Sequence, residues 1–547
     1  MPAAAAPRPG IVKVAHTGTL PGMGPMADQT TGAVCLNGGT GAQHHAPGVA
    51  AGDTQTPMSL GPGVNVTYDV ADVDGDGDEE LLRLQGSAAK PAFAVVDGAT
   101  GAVQWSLPLS NGYFLFELLD AADGTRDVLL FTYGNGGLET MQRRSGATGA
   151  TRWSWTIGGG GYWGIAAGRD DHLILTGRRS SPSVQLLALD LTLWSARDGK
   201  SVGSVSLVGE GDQPSATVAG DLNRDGTPDL YTFEPVQTMG AAATGAVRAV
   251  SGANGAQLWT TQFAQPMADF ACVLTAADMT GDGLDDAVMF SQWLGTPASP
   301  EEFVVSAVDG NGGNTAGISH AVDVTLGGFP TSYSSPGDAD RDGKDDVIFA
   351  GPIYFPGTSQ GAVLFESVGG RGLQWSAGPR VSSSLSDFRW GWWTEGGDVD
   401  GDGAADAFVL LGTSGGVQSA APVLSATGAV PWQRSDTDGA FSVPAFADAD
   451  GDGGDDIVDM VQASKVDFDW HITWQLVDGM TLEPFFTHQR VLDTSAGISL
   501  SVVGGSLRSA QPGQDIIVEH NMTMSSGRHF TEALDGRSGA LLWSDPS

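Results

Sequence analysis

Residues 72–80 read DVDGDGDEE, six carboxylates and two glycines in nine residues, and like charges this close repel unless something positive lies among them. The pattern recurs as DLNRDGTPD (221–229), DMTGDGLDD (278–286), DADRDGKDD (338–346), DVDGDGAAD (398–406) and DADGDGGDD (448–456). In every copy side-chain oxygens fall at loop positions 1, 3, 5 and 9, with glycine at position 6. These residues are Asp72, Asp74, Asp76 and Glu80; Asp221, Asn223, Asp225 and Asp229; Asp278, Thr280, Asp282 and Asp286; Asp338, Asp340, Asp342 and Asp346; Asp398, Asp400, Asp402 and Asp406; and Asp448, Asp450, Asp452 and Asp456. Alternate residues of a tight loop can aim their oxygens at one centre, and the glycine admits the positive-φ bend that wraps them round it. A flexible shell of hard oxygens suits Ca²⁺ better than Mg²⁺ or Zn²⁺. About six Ca²⁺ ions are therefore expected, with the position-7 carbonyl and waters completing each shell.

An EF-hand does not fit. Its loop needs a bidentate glutamate at position 12, where this chain has Arg83, Thr232, Met289, Phe349, Val409 and Asp459. Position 9 is followed instead by short apolar runs such as LYTF (230–233), AVMF (287–290) and VIFA (347–350), which read as strands. The loops join strands.

A second motif alternates with the first: VVDGATGAVQW (95–105), RRSGATGATRW (143–153), AVSGANGAQLW (249–259), ESVGGRGLQW (366–375), LSATGAVPW (424–432) and ALDGRSGALLW (533–543). Looser versions at 195–205, 307–317 and 476–484 bring the copies to nine. Each reads as strand, glycine turn, strand. Degenerate acidic loops at 118–131, 166–177 and 505–519 fill the gaps in the first series. The unit is strand A, acidic loop, strand B, strand C, glycine turn, strand D. Units of four strands at this spacing predict an all-β chain folded as a single β-propeller of about nine four-stranded blades over 62–547, or eight if one weak unit packs outside the ring. Residues 1–61 read as an extended N-terminal arm or cap.

The acidic loops resemble the FG-GAP or VCBS calcium repeats of integrin α-subunit propellers and of bacterial surface proteins. The glycine turns resemble the tryptophan-docking motif of quinoprotein-like propellers, carried by Trp105, Trp153, Trp259, Trp375, Trp432 and Trp543. The first resemblance implies a non-catalytic extracellular propeller, stabilised by calcium, acting as a surface adhesion or recognition module for a glycan or protein ligand. The alternatives are a polysaccharide lyase similar to rhamnogalacturonan lyases or another propeller enzyme, and a structural subunit of a surface assembly. In an antiparallel unit the acidic loops and glycine turns share one face. Ligand contact is then expected on the other, in the B–C and D–A connections, with Trp293, Tyr354, Phe355, Arg389 and Trp390 as candidates.

Composition bounds the rest. Over 547 residues the net charge is −38, which excludes nucleic acid and anionic membrane surfaces as natural partners. No apolar run is long enough for a transmembrane helix. The first residues lack the profile of a signal peptide, yet calcium loops of this kind load where calcium is millimolar, so an extracellular or cell-surface location is expected with the signal absent from this chain. Cys35 and Cys272 are the only cysteines and could form one disulfide or stand as two thiols. The nine histidines show no spacing suited to a zinc site or a serine–histidine–aspartate triad, so no catalytic residue is assigned.

Overall fold

The apolar run after each acidic loop is a strand in the computed structural model: Glu80–Ser87, Leu230–Val236, Asp286–Trp293, Asp346–Tyr354, Ala407–Thr413 and Asp456–Val466. The structure describes residues 68–545 apart from short internal stretches, the longest at 294–301, 323–331 and 437–444. Residues 1–61, the expected arm, lie outside the described residues, as does Cys35 of the suggested disulfide. Cys272 lies in the strand Phe270–Ala277. Among the described residues there is no helix.

The chain is all-β, a succession of four-stranded meanders. The first sheet orders its strands as they occur: Tyr68–Ala71, Glu80–Ser87, Lys90–Val96 and Val103–Pro108, each antiparallel to the next. The same meander repeats along the chain. One eight-stranded sheet is two such meanders, over 162–210 and 215–265, joined by the single parallel pair Glu210↔Val236. Taken in chain order the units run from unit 1 (68–108) and unit 2 (113–156) through units 4 (215–265), 5 (270–322), 6 (332–381), 7 (388–436) and 8 (445–493) to unit 9 (498–545).

Apolar side chains from successive units pack face to face, which fixes where the core sits. Tyr231, Phe233 and Val247 of unit 4 pack with Ala287 and Met289 of unit 5. Phe408 of unit 7 meets Phe446 and Ile457 of unit 8. A third cluster joins Leu507 and Ile517 of unit 9 to Leu82 and Phe93 of unit 1 and Phe116 of unit 2. Burial of this apolar area is the main stabilising term, since the strands of one sheet have no core of their own.

The glycine turns lock the units together. The indole N–H of Trp259 donates to Gly310 O of the following unit at 3.0 Å, and that of Trp432 to Gly479 O at 2.8 Å. Trp153 donates to Ala196 O at 2.9 Å, and Trp105 to Gly146 O. In unit 9, Trp543 donates to Gly98 O of unit 1 at 2.6 Å. The receiving glycine is fixed by close approach: a Cβ on Gly310 would lie 2.2 Å from Asp285 O, the carbonyl at position 8 of the acidic loop in the same unit. Gly98, Gly479 and Gly536 meet Glu79 O, Asp455 O and Gln514 O in the same way, so loop and turn share one face of these units and touch there. Gly310→Ala should cost about 2 kcal/mol in denaturant unfolding, because backbone cannot move aside as a flexible side chain can. An unchanged midpoint would show that the turn does not rest on the loop.

Candidate metal centres

Each acidic loop is folded by its own carboxylates. The position-1 aspartate accepts the N–H of the position-6 glycine in all six copies, from 2.6 Å (Gly403 to Asp398) to 3.2 Å (Gly453 to Asp448). The six glycines have φ between 84° (Gly283) and 100° (Gly453), the region open to glycine at little cost. In five of the loops the position-5 aspartate accepts the N–H of position 7, as Asp282 does from Leu284 at 2.9 Å. These bonds occupy some lone pairs of each carboxylate and hold the others in place.

Ligand oxygens converge in four loops. Within 4.8 Å of one another lie carboxylate oxygens of Asp72, Asp74 and Glu80; of Asp338, Asp340 and Asp346; of Asp398, Asp400 and Asp406; and of Asp448, Asp450 and Asp452. In the other two, position 3 is Asn223 or Thr280, and no such trio of acids forms among the described residues. Asp76, Asp342, Asp402 and Asp456 stand outside the trios of their own loops.

The position-9 carboxylate ties its loop to the glycine turn. Glu80, Asp229, Asp286, Asp346, Asp406 and Asp456 are all at most 3 % exposed. Asp229 Oδ2 accepts from Leu222 N at 2.9 Å while Oδ1 accepts from Gly252 N of the glycine turn at 3.0 Å. Asp286 binds Thr280 N and Gly310 N, and Asp406 binds Val399 N and Ser425 N, in the same way. Burial is the first cause of a raised pKa in five of the six: it pushes Glu80 and Asp456 up to about 8, Asp286 and Asp406 to about 7, and Asp229 to about 6. Neighbouring carboxylates add to the rise.

These shifts give stability a definite sign. With calcium chelated, the folded chain holds protons on these groups at pH values where the unfolded chain has lost them. Stability of the calcium-free fold should therefore fall as pH rises from about 4 toward 8. In excess chelator the melting temperature should be higher at pH 6 than at pH 8, and saturating calcium should narrow the difference. A chelated protein that melts higher at pH 8 would contradict this assignment.

Two units that have lost the ligands keep the buried acid and give it an arginine. In unit 2, Arg143 Nε donates to Asp127 Oδ2 at 2.6 Å, with Arg152 3.5 Å from the other oxygen. In unit 9, Arg508 binds Asp515 through Nε at 3.0 Å and Nη2 at 2.5 Å, and reaches Asp535 at 2.6 Å. Arg508 follows Leu507, a buried residue in the place of Val73 and Val399, and so stands where the other loops carry Asp74 and Asp400. Among the described residues, no ion pair reaches Glu80, Asp229, Asp286, Asp406 or Asp456. The donor set fits a hard divalent cation in the loops that kept it.

Sequence reasoning missed the arginines and also the acid at position 8. Asp345 Oδ2 accepts from Asp278 N at 2.9 Å, and Asp455 Oδ2 from Asp398 N at 2.8 Å, in each case the first residue of the preceding unit's loop. The doubled aspartates at 285–286, 345–346 and 455–456 were the available signal.

The expected ligand face fares differently. Trp293 and Tyr354 end the second strands of units 5 and 6, paired with Glu302 and Gly361. Arg389 and Trp390 are not in a connection: they belong to Phe388–Glu395, the first strand of unit 7, where Trp390 pairs with Gly412. Phe355 lies outside the described residues.

No protein-family model and no curated protein matches the chain. Solved structures do. The quinohemoprotein alcohol dehydrogenase ADHIIG of Pseudomonas putida is 12 % identical over 85 % of this chain and 77 % of its own, with a TM-score of 0.30. Sqt1 of Saccharomyces cerevisiae is 9 % identical over 84 % and 90 %, with a TM-score of 0.32. The Synechocystis apocarotenoid oxygenase is 10 % identical over 78 % and 86 %, with a TM-score of 0.27. The expectation of a non-catalytic adhesion and recognition module is corrected by this result: two of these three proteins are enzymes, and none is named as an adhesin.

Proposed function

We propose that this chain is a closed nine-bladed β-propeller that binds about six Ca²⁺ ions in its A–B loops, in the manner of FG-GAP or VCBS repeats, and that the ions hold the ring together. One observation carries the metal assignment. Every described position-9 acid is buried, an arginine neutralises it in two units whose ligands are gone, and no ion pair reaches Glu80, Asp229, Asp286, Asp406 or Asp456 among the described residues. A cation in the remaining loops does what arginine does elsewhere.

Closure rests on unit 9. Its strand Ile498–Gly505 lies against Tyr68–Ala71 of unit 1, as Ala445–Ala447 of unit 8 lies against it. A Cβ on Gly505 would lie 3.0 Å from Glu79 Oε2, as one on Gly220 would lie 3.1 Å from Asp285 Oδ2. First and last units thus meet through the same contacts as consecutive ones. A crystal grown in calcium should show nine blades in one ring and anomalous density at the six loops; a second ring or an open array would overturn the architecture.

Loops of this kind load where calcium is abundant, so the working location is extracellular or at the cell surface. Catalysis, including polysaccharide lyase chemistry, takes the place of adhesion as the reading to test. The purified protein would be incubated with acidic and neutral polysaccharides in calcium. Shortened chains with unsaturated ends support a lyase, and an unchanged set of polymers removes that chemistry.

A further inference from the structure

We propose that the position-8 aspartates Asp285, Asp345 and Asp455 are positioning residues that couple calcium binding between neighbouring loops, an inference that rests on the calcium reading above. Each sits beside a ligand of its own loop and holds the backbone of the loop before it. Asp345 Oδ2 accepts the N–H of Asp278 at 2.9 Å, and Asp345 N–H donates to Asp278 O at 2.9 Å. Asp455 treats Asp398 alike, at 2.8 Å and 2.7 Å. Asp285 Oδ2 accepts from Gly220 N, one residue ahead of Asp221, at 2.6 Å.

The residue held is the one that shapes the preceding loop. Asp278 accepts the N–H groups of Gly281, Asp282 and Gly283 at 2.7, 3.0 and 2.8 Å. Asp345 and Asp346 are consecutive, and side chains alternate along extended backbone, so one serves the earlier loop and the other its own. A cation that fixes Asp346 fixes the backbone of Asp345 as well, and with it the grip on Asp278. The loops also lack room to change shape separately. A Cβ on Gly281 would lie 2.7 Å from Gly343 O, and one on Gly401 would lie 3.2 Å from Gly453 O.

Ordering of one loop by its ion therefore lowers the ordering cost of the next, which is positive cooperativity without a large change of shape. The loops at 221–229, 278–286 and 338–346 form one coupled run, and those at 398–406 and 448–456 another. Between the runs position 8 is Ala405, and Arg341 reaches Asp402 O instead.

The test is calcium titration of the full chain after chelator stripping, reading both the number of ions bound and the steepness of binding. The wild-type curve should be steeper than independent sites allow. Asp345→Ala should bind the same number of ions with a shallower curve and about tenfold weaker affinity at one site. Asp345→Asn should restore the steepness, because the amide oxygen still accepts the Asp278 N–H. Asp455→Ala should flatten the second run independently. A wild-type curve with no cooperativity overturns the proposal without depending on any variant. So does an Asp345→Ala protein that binds one ion fewer, which would make Asp345 a ligand, or an Asn variant as impaired as Ala. Absence of calcium uptake by the wild type would sink the calcium reading and this one together, whereas uptake without coupling sinks this one alone.

Discussion

Excess chelator should lower the melting temperature of this protein by on the order of 10 °C. At a calcium concentration about ten times the dissociation constant, each site contributes about 1.4 kcal/mol, and six contribute about 8 kcal/mol. That is comparable to the whole stability of an ordinary domain. The buried position-9 acids explain why the loss is this large. Without a cation, Glu80, Asp406 and Asp456 must be buried charged or take up a proton, and both cost stability at neutral pH. Asp402→Ala should lower the melting temperature by only about a sixth as much, since it weakens one site. Equal melting in calcium and in chelator would show that the loops are acidic turns and nothing more.

Trp543→Ala should destabilise the chain by about 3 kcal/mol and make unfolding less cooperative. Its indole covers Gly101, where a Cβ would lie 2.8 Å from the ring, and its N–H caps Gly98 O at 2.6 Å. Behind it the fully buried Arg83 of unit 1 binds Thr531 of unit 9 at 2.6 Å and pairs with Asp545. Loss of Trp543 removes packing and a hydrogen bond at the contact between units 9 and 1. Trp259→Ala, at an internal contact of the same kind, is the control. A neutral Trp543→Ala beside a damaging Trp259→Ala would mean that unit 9 does not seat on unit 1.

Much of this architecture is legible in the residues because it is local. Glycine at position 6 demands a bend, and the carboxylates at positions 1 and 5 close it by bonding backbone within a few residues. The apolar run that follows can then only be a strand. Tryptophan after the glycine turn marks contact with another unit, although its acceptor lies 41 to 51 residues away, or 445 for Trp543. What escaped reading is non-local. Arg143 neutralises Asp127 from a neighbouring strand. Arg508 stands within its loop, but its role is visible only once Asp515 and Asp535 are seen around it. Asp345 acts on a loop one unit earlier, and nothing in DADRDGKDD says that its last two acids face different loops. Arg389 and Trp390 read as candidates for a connection because aromatics in a connection and aromatics in a strand have the same composition, and Phe388–Glu395 is a strand.

We expect that these loops exist to hold calcium, and metal content per chain reads that out. The protein would be stripped with chelator, dialysed against calcium, and analysed for protein and metal together. About six calcium ions per chain are expected, falling by one in Asp402→Ala, with magnesium failing to compete at equal concentration. A chain that retains no calcium, or binds magnesium equally well, would contradict the claim.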